Sequence, residues 1–358
     1  MKRINTSALV PGMIIAEDVF TYSNQMILAK GLVLTDKAIT KLEFYSILNV
    51  LVENDVAPVK KAAVEDDTPY SQKVKNSTEF KEFKAKFDLE IMSFQKSINS
   101  IISKNEPFNA DYLYAQATSL IKNENQHISF FDMLHNMRQY DDPTFVHSMN
   151  VGLICEVFAG WLKFSEEDIK MATLCGLLHD VGKLMIPESI IKKPYKLTSQ
   201  EYSIVKTHPK EGYLLMKDIN LNEHIINSAL MHHERCDGSG YPLGIRGNKI
   251  DRFAKIVAIA DIYDAMTSAR IYRGPLCPFK VIELYENEGL QKYDISYLMV
   301  FMENVVNTYM LNRVRLSNGM EGDIIYINRN NLSKPVVKCG SIYVDLSEEY
   351  DLFIDSLL

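Results

Sequence analysis

Eight histidines occur in the chain, and five of them, His147, His179, His208, His232 and His233, stand among acids in apolar surroundings. A lone histidine on an apolar face is more often a hydrogen-bonded core residue than a ligand. The doublets change that reading. His179-Asp180 closes the apolar run Ala172 to Leu178, so an imidazole and a carboxylate meet at one point, and a carboxylate can bridge two cations. His232-His233 closes a second apolar stretch, ahead of the glycine-rich ERCDGSGYP. Neighbours on a helix lie about 100° apart, so this pair suits ligands approaching two different ions. His208 precedes Pro209, which predicts a bend. Asp261 and Asp264 are conspicuous within Ala254 to Met266, a nearly continuous run of small and apolar residues. An unpaired carboxylate would be costly there, so Asp261 calls for a metal or an arginine.

Imidazoles and carboxylates without a clustered thiolate favour Mn, Fe, Co, Ni or Zn over Ca or Mg. His147, His179, Asp180, His208, His232, His233 and Asp261 are too many ligands for one tetrahedral site. They suit two octahedral ions sharing Asp180 and a water. Two ions about 3.5–4 Å apart lower the pKa of a shared water and clamp a phosphodiester for in-line attack. Lys183, in HDVGK, is placed to hydrogen-bond the scissile phosphate or to neutralise developing charge. The plain alternatives are a helix-terminal histidine, a solvated aspartate and a solvated lysine.

These residues need helices to hold them. The spacing predicts a dense helical series over 126–312, with Val146, Met149, Leu153, Ile154, Val157, Phe158 and Trp161 on one apolar face. Ser165 with Asp168, and Thr198 with Glu201, read as capping boxes opening further helices. Upstream, 61–125 reads as a polar linker followed by a helical connector, whose Phe80, Phe83, Phe87, Ile91, Phe94, Ile98 and Ile101 recur three or four apart. That stripe fits a core or a helix-pair interface, and dimerisation or signal relay is expected of the connector. Residues 1–60 form a small mixed module, with short apolar runs at Met13 to Ala16, Met26 to Ala29 and Val50 to Val52, and one helix capped by Thr35. Beyond Arg313, β-rich runs separated by Asn318-Gly319 and Pro335 predict a small β-rich C-terminal module, 313–358. The fold class is therefore mainly α, a dense helical series over 126–312 with a helical connector before it and a small module at either end of the chain.

Composition narrows the function. With 358 residues the chain has room for more than one domain, and 47% hydrophobic against 24% charged residues is ordinary for a globular protein. A formal net charge of -7 argues against a partner such as duplex DNA or RNA. Cys155, Cys175, Cys236, Cys277 and Cys339 form no CxxC pair, which fits a reducing cytoplasm, and Cys236 is read as structural. No apolar run of about 18 residues occurs, so no membrane span is expected.

In order along the chain stand His147, GLLHDVGK from 176, KTHPKEG from 206, MHHERCDGSGYP from 231 and AIADIYDAMTSARIYR from 258. Together they resemble the HD-GYP domain, a branch of the HD superfamily of metal-dependent phosphohydrolases, over about half the chain. The resemblance implies hydrolysis of cyclic di-GMP to pGpG or GMP in bacterial signalling. It implies two divalent transition metals, Fe or Mn first, held by the seven residues named above, with Lys183 catalytic. Arg270 and Arg273 fall at basic positions for the nucleotide, and Tyr241 belongs to Gly240-Tyr241-Pro242. Some positions depart from the pattern: Pro143 replaces a glutamate associated with a third metal, so two are expected. Tyr195, Ala269 and Ile271 also differ. A slow metal-bound sensor that signals through a protein partner, and a phosphohydrolase of another nucleotide, are the competing readings.

Overall fold

A computed structural model describes residues 1–6, 9–20, 26–34, 38–39, 42, 47, 49–53, 70–103, 109–121, 130–137, 143–193, 195, 197–219, 221–268 and 276–358. Thr35, most of the polar linker, Arg270 and Arg273 lie outside these residues, as do Ala269 and Ile271.

The architecture is mainly helical, with small sheets at both ends. Helix α1 spans Thr78–Ser103 and α2 Ala110–Thr118. The phenylalanine stripe of α1 is core: Phe80, Phe83, Phe87 and Phe94 are each at most 5% exposed. Then come α3 (Pro143–Trp161), α4 (Glu166–Leu178), α5 (Ser199–Val205), α6 (His208–Met216), α7 (Glu223–Met231) and α8 (Arg252–Thr267). Their starts follow from capping. Ser165 accepts the Asp168 N–H at 3.2 Å, Asn222 accepts that of His224 at 2.9 Å, and Asp251 that of Phe253 at 2.8 Å. Thr198 and Glu201 form a complete capping box. Three acids in the first turn of α4, Glu166, Glu167 and Asp168, also complement its dipole. Instead of a bend, His208 opens α6, with Pro209 in the first turn, where a missing N–H removes no helical bond.

After α9 (Pro278–Leu284) and α10 (Ile295–Thr308), five antiparallel strands form one sheet. They are β5 (Arg313–Leu316), β6 (Glu321–Tyr326), β7 (Val336–Cys339), β8 (Ile342–Asp345) and β9 (Ile354–Leu357), ordered β8-β7-β6-β5-β9. Gly319, at φ +86°, makes the tight β5–β6 turn. Val314, Ile324 and Val337 of this sheet join the same apolar core as Phe94, Phe158 and Phe253. Polar ties reinforce the junction, because Glu286 accepts the Leu332 N–H at 2.6 Å and the Ser333 hydroxyl at 2.5 Å.

The N-terminal strands, β1 (Lys2–Asn5), β2 (Val19–Phe20), β3 (Met26–Leu28) and β4 (Asn49–Val52), make two small sheets around a separate core of Ile15, Leu34, Leu42 and Val50. Met13 to Ala16 makes isolated bridges, Ile14 to Val33 and Ile15 to Val52, instead of a strand. No helix among the described residues is long and apolar enough to cross a membrane.

Candidate metal centre

The ends of three helices, the start of a 3-10 turn and the middle of two other helices converge on one buried point. Helix α4 stops at Leu178 with His179 as its C-cap, and a tight 3-10 turn, Val181–Met185, starts at Asp180. His232 is the C-cap of α7, followed by His233, and His208 begins α6. His147 and Asp261 come from the bodies of α3 and α8. His179, Asp180, His208 and His232 are at most 1% exposed. The backbones of two segments touch directly here: a Cβ at Gly182 would overlap the His208 carbonyl oxygen and the Gly212 nitrogen.

Asp180 stands between two groups of imidazoles. Its Oδ1 lies 3.2 Å from His208 Nε2 and 3.7 Å from His232 Nε2. Its Oδ2 lies 3.3 Å from His179 Nε2 and 3.6 Å from His147 Nε2. Asp261 Oδ1 adds to the second side, 3.0 Å from His147 Nε2, while its Oδ2 is 3.8 Å from His233 Nδ1. Ligand atoms of His208, His232 and His233 lie within 4.8 Å of one another, and so do those of His147, His179 and Asp261.

The outer ring nitrogens are held by the protein. His179 Nδ1 is 2.7 Å from the Gly176 carbonyl, His208 Nδ1 2.7 Å from that of Val205, and His232 Nδ1 3.0 Å from that of Ala229. A carbonyl only accepts, so each Nδ1 donates its proton outward and each Nε2 is turned toward the cluster. Two such nitrogens, of His208 and His232, lie 3.2 Å apart. His179 Nε2 and Asp180 Oδ1 make no hydrogen bond among the described residues although both are buried. Buried acceptors left facing one another are costly unless a cation lies between them. The donor set and these orphaned atoms fit two divalent cations, with Asp180 shared.

Electrostatics agree. Burial opposes ionisation of Asp180, but the Lys183 ammonium and His179 hold its carboxyl well below the usual range. Asp261 is likewise held down against burial, chiefly by His147. Burial, then the neighbouring His233 and His179, keep His232 well below the ordinary imidazole value, and burial takes His233 down to about 3. Burial also disfavours charge on His147, yet hydrogen bonds to Asp261 and Asp264 raise it to about 9. Two carboxylates thus face His232 and His233 as neutral imidazoles, while His147 is held charged between Asp261 and Asp264. Lys183 pairs directly with Asp180 Oδ2 and keeps a side chain 24% exposed.

All seven sequence-proposed ligands are brought together, with Lys183 beside them. Tyr241 stacks its ring on His233, centroids 4.6 Å apart and planes 27° apart. Tyr195 is 72% exposed. Cys236 lies against Gly247 and takes no part in the candidate ligand groups. Two acids gain roles that the sequence reading did not assign. Asp264 Oδ2 accepts from His147 Nδ1 at 2.7 Å, and its Oδ1 accepts from Asn150 Nδ2 at 3.0 Å, so Asp264 orients the His147 ring. Its spacing of three from Asp261, on the same helix face, was the available signal. Glu234 is 2% exposed and accepts the N–H groups of Leu243 (2.6 Å), Gly244 (3.2 Å) and Ile245 (3.1 Å). It organises the loop that carries Tyr241. Gly240 permits the return of this loop, since a Cβ there would overlap the backbone of His233, Glu234 and Arg235.

Comparison with known proteins names the class. The chain belongs to the HD domain family, whose model matches residues 113–296. It is 33% identical over 208 residues to the cyclic di-GMP phosphodiesterase PA4108 of Pseudomonas aeruginosa, covering 57% of this chain and 50% of that one. It is 37% identical over 169 residues to the 3'3'-cGAMP-specific phosphodiesterase 1 of Vibrio cholerae, covering 47% and 39%. The chain therefore spans half or less of these relatives' length. Among solved structures, Bd1817, an HDG"Y"P protein from Bdellovibrio bacteriovorus, matches with a TM-score of 0.51 at 17% identity, over 85% of this chain and 99% of that one. That likeness is one of fold.

Proposed function

We propose that this chain is a metal-dependent phosphodiesterase that hydrolyses a cyclic dinucleotide, with cyclic di-GMP as the first candidate substrate. The carrying observation is Asp180, whose two oxygens face two separate sets of histidines. His147, His179 and Asp261 would hold one cation, His208, His232 and His233 the other, and Asp180 both, with Fe or Mn as the ions. Two divalent cations held there supply Lewis acidity and positive charge for attack of water on a phosphodiester.

The remaining work falls to side chains. The attacking water gives up a proton as its oxygen bonds to phosphorus, the ester P–O bond breaks, and the leaving ribose oxygen takes up a proton. Lys183 is the cation at the mouth of the cluster, so it hydrogen-bonds a phosphate oxygen and offsets charge developing on it. The Nδ1 bonds to main-chain carbonyls keep the imidazoles in one tautomer and one orientation. Tyr241 covers the outer face of His233 and bounds the entrance. Arg270 and Arg273 are assigned to the nucleotide on sequence grounds alone. The cyclic di-GMP and 3'3'-cGAMP phosphodiesterases among the relatives support the substrate class, and the cGAMP enzyme keeps a second cyclic dinucleotide in contention.

Anaerobic purification, metal analysis and turnover of cyclic di-GMP, 3'3'-cGAMP and dGTP, with separation of products, tests this reading. Near two transition metals per chain, with pGpG or GMP formed, is expected. Metal and bound nucleotide without turnover would replace it with the sensor reading, and turnover of dGTP alone with that of another phosphohydrolase.

A further inference from the structure

Tyr202 lies on α5, six residues before the ligand His208, with its ring 50% exposed. Lys206, at the C-terminal end of the same helix, holds its ammonium 5.3 Å from the centre of that ring. Helix α5 is fastened to the metal centre, because the carbonyl of its last residue, Val205, takes the His208 Nδ1 proton at 2.7 Å. Tyr241 is stacked on His233, another candidate ligand. An exposed aromatic ring, with a lysine over its face, thus stands on the helix whose end is fastened to His208, and that lysine is two residues before His208 in the chain. Neither packing nor ligand duty accounts for it.

Nucleobases stack on such rings with little regard to sequence, and a lysine beside the ring is a point charge for phosphate. We propose that Tyr202 and Lys206 form a nucleobase subsite beside the metal centre, the Tyr202 ring taking the face of one purine and Lys206 a phosphate oxygen of the same dinucleotide. The subsite rests on the cyclic-dinucleotide reading above. Bound there, the substrate lies between the α5 platform and the Tyr241 loop, with its other phosphate toward Lys183.

The test is binding of a non-hydrolysable phosphorothioate analogue of cyclic di-GMP to metal-loaded protein. A base stack contributes about 1–3 kcal/mol, so Tyr202→Ala should raise Kd by roughly tenfold. Tyr202→Phe keeps the ring and should stay within about twofold of the original chain. Lys206→Gln should raise Kd less, by about three- to tenfold, with a difference that shrinks at high salt. Metal content and melting temperature should be unchanged in all three. Tyr202→Ala binding as tightly as the original chain, or Tyr202→Phe losing as much as Tyr202→Ala, would overturn the proposal. So would a chain that hydrolyses bis(p-nitrophenyl) phosphate yet does not bind the analogue. If the original chain binds the analogue but cleaves neither diester, the phosphodiesterase reading fails while the binding series still decides the platform.

Discussion

Glu234 offers the sharpest perturbation, because one buried carboxylate holds three consecutive loop amides. Its Oε1 accepts from Leu243 and Gly244, and its Oε2 from Ile245. Glu234→Gln keeps the shape but turns one acceptor into an NH2 donor. If the amide oxygen stays on Leu243 and Gly244, the NH2 then faces the Ile245 N–H. A bond to a charged acceptor contributes about 1.5–3 kcal/mol net. Leu243 is 53% exposed, so water can reach part of this loop once it opens, and a loss of about 1.5 kcal/mol is the reasonable figure. That corresponds to roughly a tenfold fall in amide protection at Ile245, measured by hydrogen exchange. Glu234→Ala removes both oxygens and should lower protection at all three amides. In each variant the Tyr241 ring loses its fixed place on His233, so turnover falls while metal content holds. Unchanged exchange at Leu243, Gly244 and Ile245 in Glu234→Ala would refute the claim that this carboxylate organises the loop.

Asp180→Ala removes the shared ligand and should cost both metals along with turnover, read by elemental analysis. Lys183→Ala should retain the metals but lower turnover by about 10²–10³-fold, the usual loss for one electrostatic donor; an unchanged rate would remove Lys183 from the mechanism. Asp264→Asn leaves the seven ligands intact but loosens His147, so metal affinity should fall by about 10–100-fold in a chelator competition. Chelation itself should lower the melting temperature. Ions present at about a thousand times their Kd contribute roughly 4 kcal/mol, and scans with and without a chelator measure the difference.

Much of the cluster was legible because its residues are written as doublets at helix ends. His179-Asp180 and His232-His233 sit where apolar periodicity stops, and a helix terminus is where consecutive residues can aim at one point. Asp261 stood out through the apolar helix around it, and Thr198 with Glu201 through capping chemistry. Glu234 carried no such mark. An acid beside a glycine-rich loop looks solvated in sequence, and only the fold brings Leu243, Gly244 and Ile245 back over it. Asp264 was visible as an anomaly, but its role depends on the crossing of α3 and α8. The bend expected at His208-Pro209 proved to be a helix start, since proline at either place satisfies the same local restriction. Arg270, Arg273 and the Thr35 cap fall outside the described residues.

The contact of Gly182 with the His208 carbonyl and Gly212 determines how the centre tolerates change. Where side chains set a separation, every core substitution shifts it a little. Here main chain rests on main chain between the turn bearing Asp180 and Lys183 and the helix bearing His208. That half of the spacing is a fixed gauge, independent of side-chain volume. Sequence drift in the surrounding apolar layer can therefore proceed without detuning the distance between Asp180 and His208. Any side chain at position 182 would act as a wedge between the turn bearing Asp180 and the helix bearing His208.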